Sequence, residues 1–71
     1  MNFETEIVKM AREQGTEEAQ HQLDLAMGTV NAMIKYFNNP DTFTFRLLKA
    51  VLLELEKCQR VLQQIRFYEN H

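Results

Sequence analysis

Apolar residues recur along this chain at alternating intervals of three and four, the spacing of one face of an α-helix. The pattern runs longest near the C-terminus. There Leu48, Val51, Leu55, Cys58, Leu62 and Ile65 fall on one narrow arc at about 100° per residue. Phe43, Ala50, Val61 and Tyr68 widen the arc on one side, and Phe45 and Leu52 on the other. The apolar sector therefore exceeds the roughly 100° stripe that packing on a single neighbour requires. The run RLLKAVLLELEKCQRVLQQIRFY lacks glycine and proline and is rich in strong helix formers. A long helix is predicted over 40–69, with Asn39 as its N-cap, Pro40 as its first residue and Asp41 at the positive end of its dipole.

Two further helices precede it. Over 17–37, Ala19, Leu23, Ala26, Met27, Val30, Met33, Ile34 and Phe37 make a main stripe, and Leu25, Thr29, Ala32 and Tyr36 a weaker one. Between the stripes lie Asp24, Gly28, Asn31 and Lys35. Gly28 costs about 1 kcal/mol relative to alanine in a helix interior. It is either a tolerated surface glycine or a point where another backbone approaches closely. Over 3–14, Phe3, Ile7, Met10 and Ala11 share a face opposite Glu4, Glu6, Lys9, Arg12 and Glu13. Gly15 suits the end of that helix, and Thr16 with Glu17 and Glu18 suits the N-cap and first turn of the next. A continuous helix kinked at Gly15 is the alternative.

The connection Asn38-Asn39-Pro40-Asp41 is short, with an asparagine able to adopt the left-handed C-terminal conformation. So short a link turns two long helices antiparallel. The expected fold is all-α: an antiparallel helical hairpin of two long helices with a short N-terminal amphipathic helix, in one domain over 1–71.

Seventy-one residues bury a modest core, and chains of this size need unusually good packing, cross-links, a metal or a partner. The single cysteine rules out an internal disulfide. His21, Cys58 and His71 do not have metal-ligand spacing, so no metal is expected. The formal charge is −2 and the eight basic residues are scattered among ten acidic ones, which argues against nucleic acid as a partner. The start of the chain lacks the apolar core of a signal peptide. Lys49 and Glu54 break the greasiest stretch well short of a membrane span. A cytoplasmic protein with no membrane partner is the expectation.

No Gly-rich phosphate loop, nucleophile elbow or paired-histidine motif is present, so neither catalytic residues nor a cofactor are expected. Cys58 sits on the apolar arc, where cysteine behaves as a small hydrophobe. His21 reads as a solvated surface residue, and Glu56 and Arg60 as a helix-surface pair. What remains is surplus apolar surface. Three coverings compete: helix 3–14 folded back as a third helix, a second copy of the chain, or a different protein. A helix of twelve residues covers only a fraction of one more than twice as long, which favours a partner.

The stretch NPDTFTFRLLKAVLLELEKCQRVLQQIRFYENH resembles the YscE/SsaE-type co-chaperones of bacterial type III secretion. The shared pattern is a proline-containing turn, an aromatic residue, a leucine-rich helical run and an aromatic, basic ending. It covers about the last fifty residues, and the N-terminal stretch with Phe3 and Ile7 departs from it. The resemblance implies a cytoplasmic co-chaperone that binds and stabilises a helical-repeat, YscG-type chaperone. The pair together keeps a needle subunit soluble before export, and the co-chaperone alone can form a homodimer. Carried onto this chain, the partner-binding positions implied are Leu25, Tyr36, Phe43, Phe45 and Leu52. The alternative is a self-associating helical adaptor or a small regulatory, anti-activator-like binding module.

Overall fold

The computed structural model describes residues 2–69 and is all-helical, a short N-terminal helix followed by two long ones. Helix α1 spans Phe3–Gln14, α2 Thr16–Tyr36 and α3 Phe43–Glu69, and no strand occurs among the described residues. His71, considered above as a metal ligand, lies outside them.

Helix α1 is capped from outside the periodic run. The Asn2 carboxamide oxygen accepts from the backbone N–H groups of Glu4 and Thr5 at 3.1 and 3.3 Å. That satisfies two of the donors a helix start leaves open. Glu4 and Glu6 in the first turn and Arg12 in the last complement the helix dipole. A sharp break then falls at Gly15, so the chain is not one kinked helix. Gly15 adopts φ 97°, a region that side chains with a Cβ avoid. Its N–H donates to Ala11 O and its carbonyl accepts from Ala19 N, both at 3.1 Å. One residue thus closes α1 and opens α2. Thr16 is inside α2 and is not its cap. Its hydroxyl instead donates to Glu69 Oε2 at 3.1 Å, setting the first turn of α2 beside the last turn of α3.

The connection from α2 to α3 is longer than the sequence suggests. Helix α2 ends at Tyr36, and Phe37, at φ −97° and ψ 45°, donates its N–H to Met33 O at 2.8 Å. Neither asparagine takes the left-handed conformation, since among the described residues only Gly15 has positive φ. Asn39 does not cap α3 either. Its side chain accepts from Asp41 N at 3.2 Å, and its carbonyl accepts from both the N–H and the hydroxyl of Thr42 at 3.1 and 2.8 Å. Pro40 therefore occupies a turn from Asn39 to Thr42, the position its fixed φ favours. Thr42 caps the helix by accepting from Phe45 N at 3.2 Å, and α3 starts at Phe43, three residues later than 40.

One apolar cluster joins all three helices. It takes Ile7 and Ala11 from α1, Ala19, Leu23 and Val30 from α2, and Leu48, Leu55, Cys58 and Leu62 from α3. These are positions on the predicted stripes. At roughly 1.5–3 kcal/mol for each large aliphatic side chain removed from water, this cluster is what holds the helices together. A polar contact fixes α2 against α3. Gln20 Nε2 donates to Gln59 Oε1 at 2.8 Å, and Gln59 Nε2 donates back to Gln20 Oε1 at 3.3 Å.

The molecule measures 45 × 18 × 18 Å. At about 1.5 Å per residue, α3 runs nearly the whole length, whereas α1 spans roughly 18 Å. Coverage is therefore unequal. Helix α1 packs on both long helices as a third helix, but only near their Gly15 end.

Candidate partner-binding surface

The seat of α1 shows what this groove accepts. Phe3, Ile7 and Met10 of α1, Gln22, Leu23 and Ala26 of α2, and Leu55 and Cys58 of α3 line one open apolar cleft, and Phe3, Met10 and Ala26 pack against the core cluster. Underneath, Cys58 is 1% exposed. Burial, with Glu4 and Glu54 nearby, raises its thiol pKa above the ordinary 9.0. A buried thiol held protonated beside two carboxylates is a packing group, because the nucleophile is the thiolate.

Beyond Phe3 the same faces continue without a covering helix. On α2, Met33 lies seven residues after Ala26, which keeps it on the α1-facing side, and Phe37 follows directly after the last turn of the helix. On α3, Leu47 lies eleven residues before Cys58 and so shares its face within about 20°. Yet Leu47 is 51% exposed, and Met33 and Phe37 are exposed as well. The sequence pattern puts Met33 and Phe37 in the core stripe, but no α1 residue reaches far enough to enclose them. Tyr36 and Phe43, 82% and 78% exposed, flank the strip, and Tyr36 packs edge-on against Phe37 with centroids 4.8 Å apart.

The five positions implied by the family resemblance separate here. Leu25, Tyr36 and Phe43 project into solvent. Phe45 is half-buried, with Lys49 Nζ 5.7 Å from its ring centroid. Leu52 is half-buried and packs against the core cluster, so it has a structural duty of its own. Leu47, Met33 and Phe37 complete the strip and are missing from that set. Helical register with Cys58 and Ala26, set against the length of α1, is the signal that finds them.

Charge is thin along this strip. Arg46, Ala50 and Glu54 follow one another at four-residue intervals on the flank of α3 beside Phe43 and Leu47. Glu54 pairs with Lys57 at 3.1 Å; the pair expected between Glu56 and Arg60 does not form. Among the described residues, no group of His, Cys, Asp or Glu side chains could hold a metal ion, and no helix is long and apolar enough to cross a membrane. No family model, curated protein or solved structure matches this chain.

Proposed function

We propose that this chain is a small cytoplasmic co-chaperone that works by binding and carries out no chemistry. In this reading α2 and α3 form an antiparallel hairpin, α1 closes one end, and the open end offers its apolar strip to a helical-repeat chaperone. The pair then keeps a type III secretion needle subunit soluble until export. The observation that supports it is the exposure of Met33, Tyr36, Phe37, Phe43 and Leu47, which lie beyond the reach of α1 at the end of the molecule away from Gly15. Exposed apolar surface of this extent on a small domain marks a site where another polypeptide docks. The family resemblance supplies the identity of that polypeptide.

The mechanism rests on mass action. A repeat chaperone whose own apolar surface is covered by this chain populates its cargo-binding form more fully. Cargo held in that form cannot polymerise early. The test is co-expression of the full chain with helical-repeat proteins encoded beside it, followed by sizing and mass determination of the purified complex. Retention of a repeat protein by the wild type, lost with Tyr36→Glu and with Phe43→Glu while helicity persists, is the expected result. No retained repeat protein, or retention unaffected by both substitutions, would overturn the reading.

A further inference from the structure

We propose that the partner meeting the end of the molecule away from Gly15 presents an apolar pocket rimmed by carboxylates. The inference rests on reading that end as a docking surface, but not on the identity of the chaperone. Cations accompany the exposed apolar side chains on both long helices. Lys35 precedes Tyr36, Arg46 precedes Leu47, and Lys49 holds its Nζ 5.7 Å from the centroid of the Phe45 ring. At about 1.5 Å per residue, Arg46 and Lys49 lie within about 9 Å of Phe43 along α3. All three cations are exposed, and none forms an ion pair among the described residues. Against them stands a single carboxylate between residues 25 and 53, that of Asp41. Glu54, the next acid along α3, is taken up by Lys57 at 3.1 Å.

The Gly15 end carries the opposite sign. Glu13 lies in the last turn of α1, Glu17 and Glu18 in the first turn of α2, and Glu69 ends α3, against Arg12 and Arg66. The molecule is 45 Å long, several times the Debye length of about 8 Å at physiological ionic strength. A partner therefore feels the charge of the end it approaches, and the overall −2 of the chain decides little. An acidic rim is drawn to the end that holds the exposed apolar side chains and repelled from the other, which sets the orientation of docking. A lipid surface fits this end less well. Residues 38–42 form its apex, and a membrane met end-on receives their polar groups before Tyr36 or Phe43. A concave protein surface can take the aromatic rings on either side of that apex.

Two synthetic amphipathic helices sharing one leucine face, with glutamates or lysines on the other face, are the probes for the full chain. Titrated at low salt, the acidic helix should bind at least about tenfold tighter, and the preference should fade towards 1 M salt, where the Debye length is about 3 Å. Arg46→Glu and Lys49→Glu should each weaken the acidic helix about two- to fivefold with helical circular dichroism unchanged. Glu17→Lys with Glu18→Lys, at the Gly15 end, should not weaken it. Binding of neither helix, equal binding of both, or an affinity for the acidic helix unmoved by both Arg46→Glu and Lys49→Glu would overturn the proposal. So would retention of the chain on phosphatidylglycerol vesicles that is lost with the same substitutions, since a lipid surface would then be the occupant. A preference for the acidic helix in a chain that retains no repeat protein supports the proposal and sinks only the co-chaperone reading.

Discussion

Cys58 and Leu47 occupy the same face of α3, eleven residues apart, and α1 reaches only one of them. Cys58 is 1% exposed beneath Phe3 and Ile7, while Leu47 is 51% exposed beyond the start of α1. Identical register with opposite surroundings gives opposite energetic roles. Leu47→Glu should change stability by less than about 1 kcal/mol, since little is lost from a half-solvated side chain. Leu62→Ala, at a position with no exposure, should cost about 2–5 kcal/mol. Urea unfolding at a concentration where the chain is monomeric compares the two directly. Equal losses would mean that Leu47 is held in the core after all.

The seat of α1 is also the lid over the thiol. Ile7→Asp places a carboxylate in an apolar contact and should unseat α1 without unfolding α2 and α3. Cys58 should then react with a thiol reagent at least about tenfold faster than in the wild type, the equivalent of roughly 1.4 kcal/mol of easier opening. Circular dichroism shows whether the long helices persist. An unchanged labelling rate would mean that Cys58 is shielded by α2 and α3 alone.

The same thiol gives the stability a pH dependence of known sign. Burial, then Glu4 and Glu54, raise its pKa in the folded chain above 9.0. Once the pH passes the ordinary value, the unfolded chain sheds this proton first and binds fewer protons than the folded one. Stability falls with rising pH wherever the unfolded state holds fewer protons. The contribution is complete below 9.0 and is lost as the pH climbs through the raised value. Unfolding the wild type and Cys58→Ala at about pH 8 and about pH 10 should show an extra alkaline loss in the wild type only.

Most of the helical architecture was legible in the spacing of apolar residues, and the parts that were not have physical reasons. Leu48, Leu55, Cys58 and Leu62 are buried where the arc predicts, because three-four spacing reads directly onto one helix face. Met33 and Phe37 obey the same spacing and are exposed, because periodicity fixes a direction and says nothing of how far a covering helix extends. The start of α3 was misplaced because Asn39-Pro40 fits both a helix cap and a turn. Thr42, two residues past Pro40, settles it by bonding forward to Phe45 and back to Asn39. Of the exposed residues, Tyr36 and Phe43 are among the positions the family resemblance implies, whereas the exposure of Leu47 required knowing where α1 stops.

The two glycines should respond to alanine in opposite directions. Gly28 sits inside α2 with nothing within 4 Å of an added Cβ. No backbone of this chain approaches it, so Gly28→Ala should stabilise by about 1 kcal/mol. Gly15 also has open space, but its φ of 97° penalises a side chain. Gly15→Ala should cost about 1–2 kcal/mol and loosen α1 first. Thermal unfolding of both variants checks the signs. A destabilising Gly28→Ala would point to a close neighbour at that surface in solution.

Thr42 and Asn39 offer the last discrimination, because the two candidate caps of α3 predict different losses. The Thr42 hydroxyl accepts from Phe45 N and donates to Asn39 O, so it ties the helix start to the turn. Thr42→Ala removes both bonds and should cost about 0.5–2 kcal/mol, the range for losing an N-cap. Thr42→Ser keeps the hydroxyl and should recover most of that loss. Asn39→Ala removes only the side-chain bond to Asp41 N, in an exposed turn, and should cost less than Thr42→Ala. Amide hydrogen exchange at Phe45 and Arg46 locates the effect. Faster exchange there in Thr42→Ala than in Asn39→Ala is expected, and the reverse order would return the cap to Asn39.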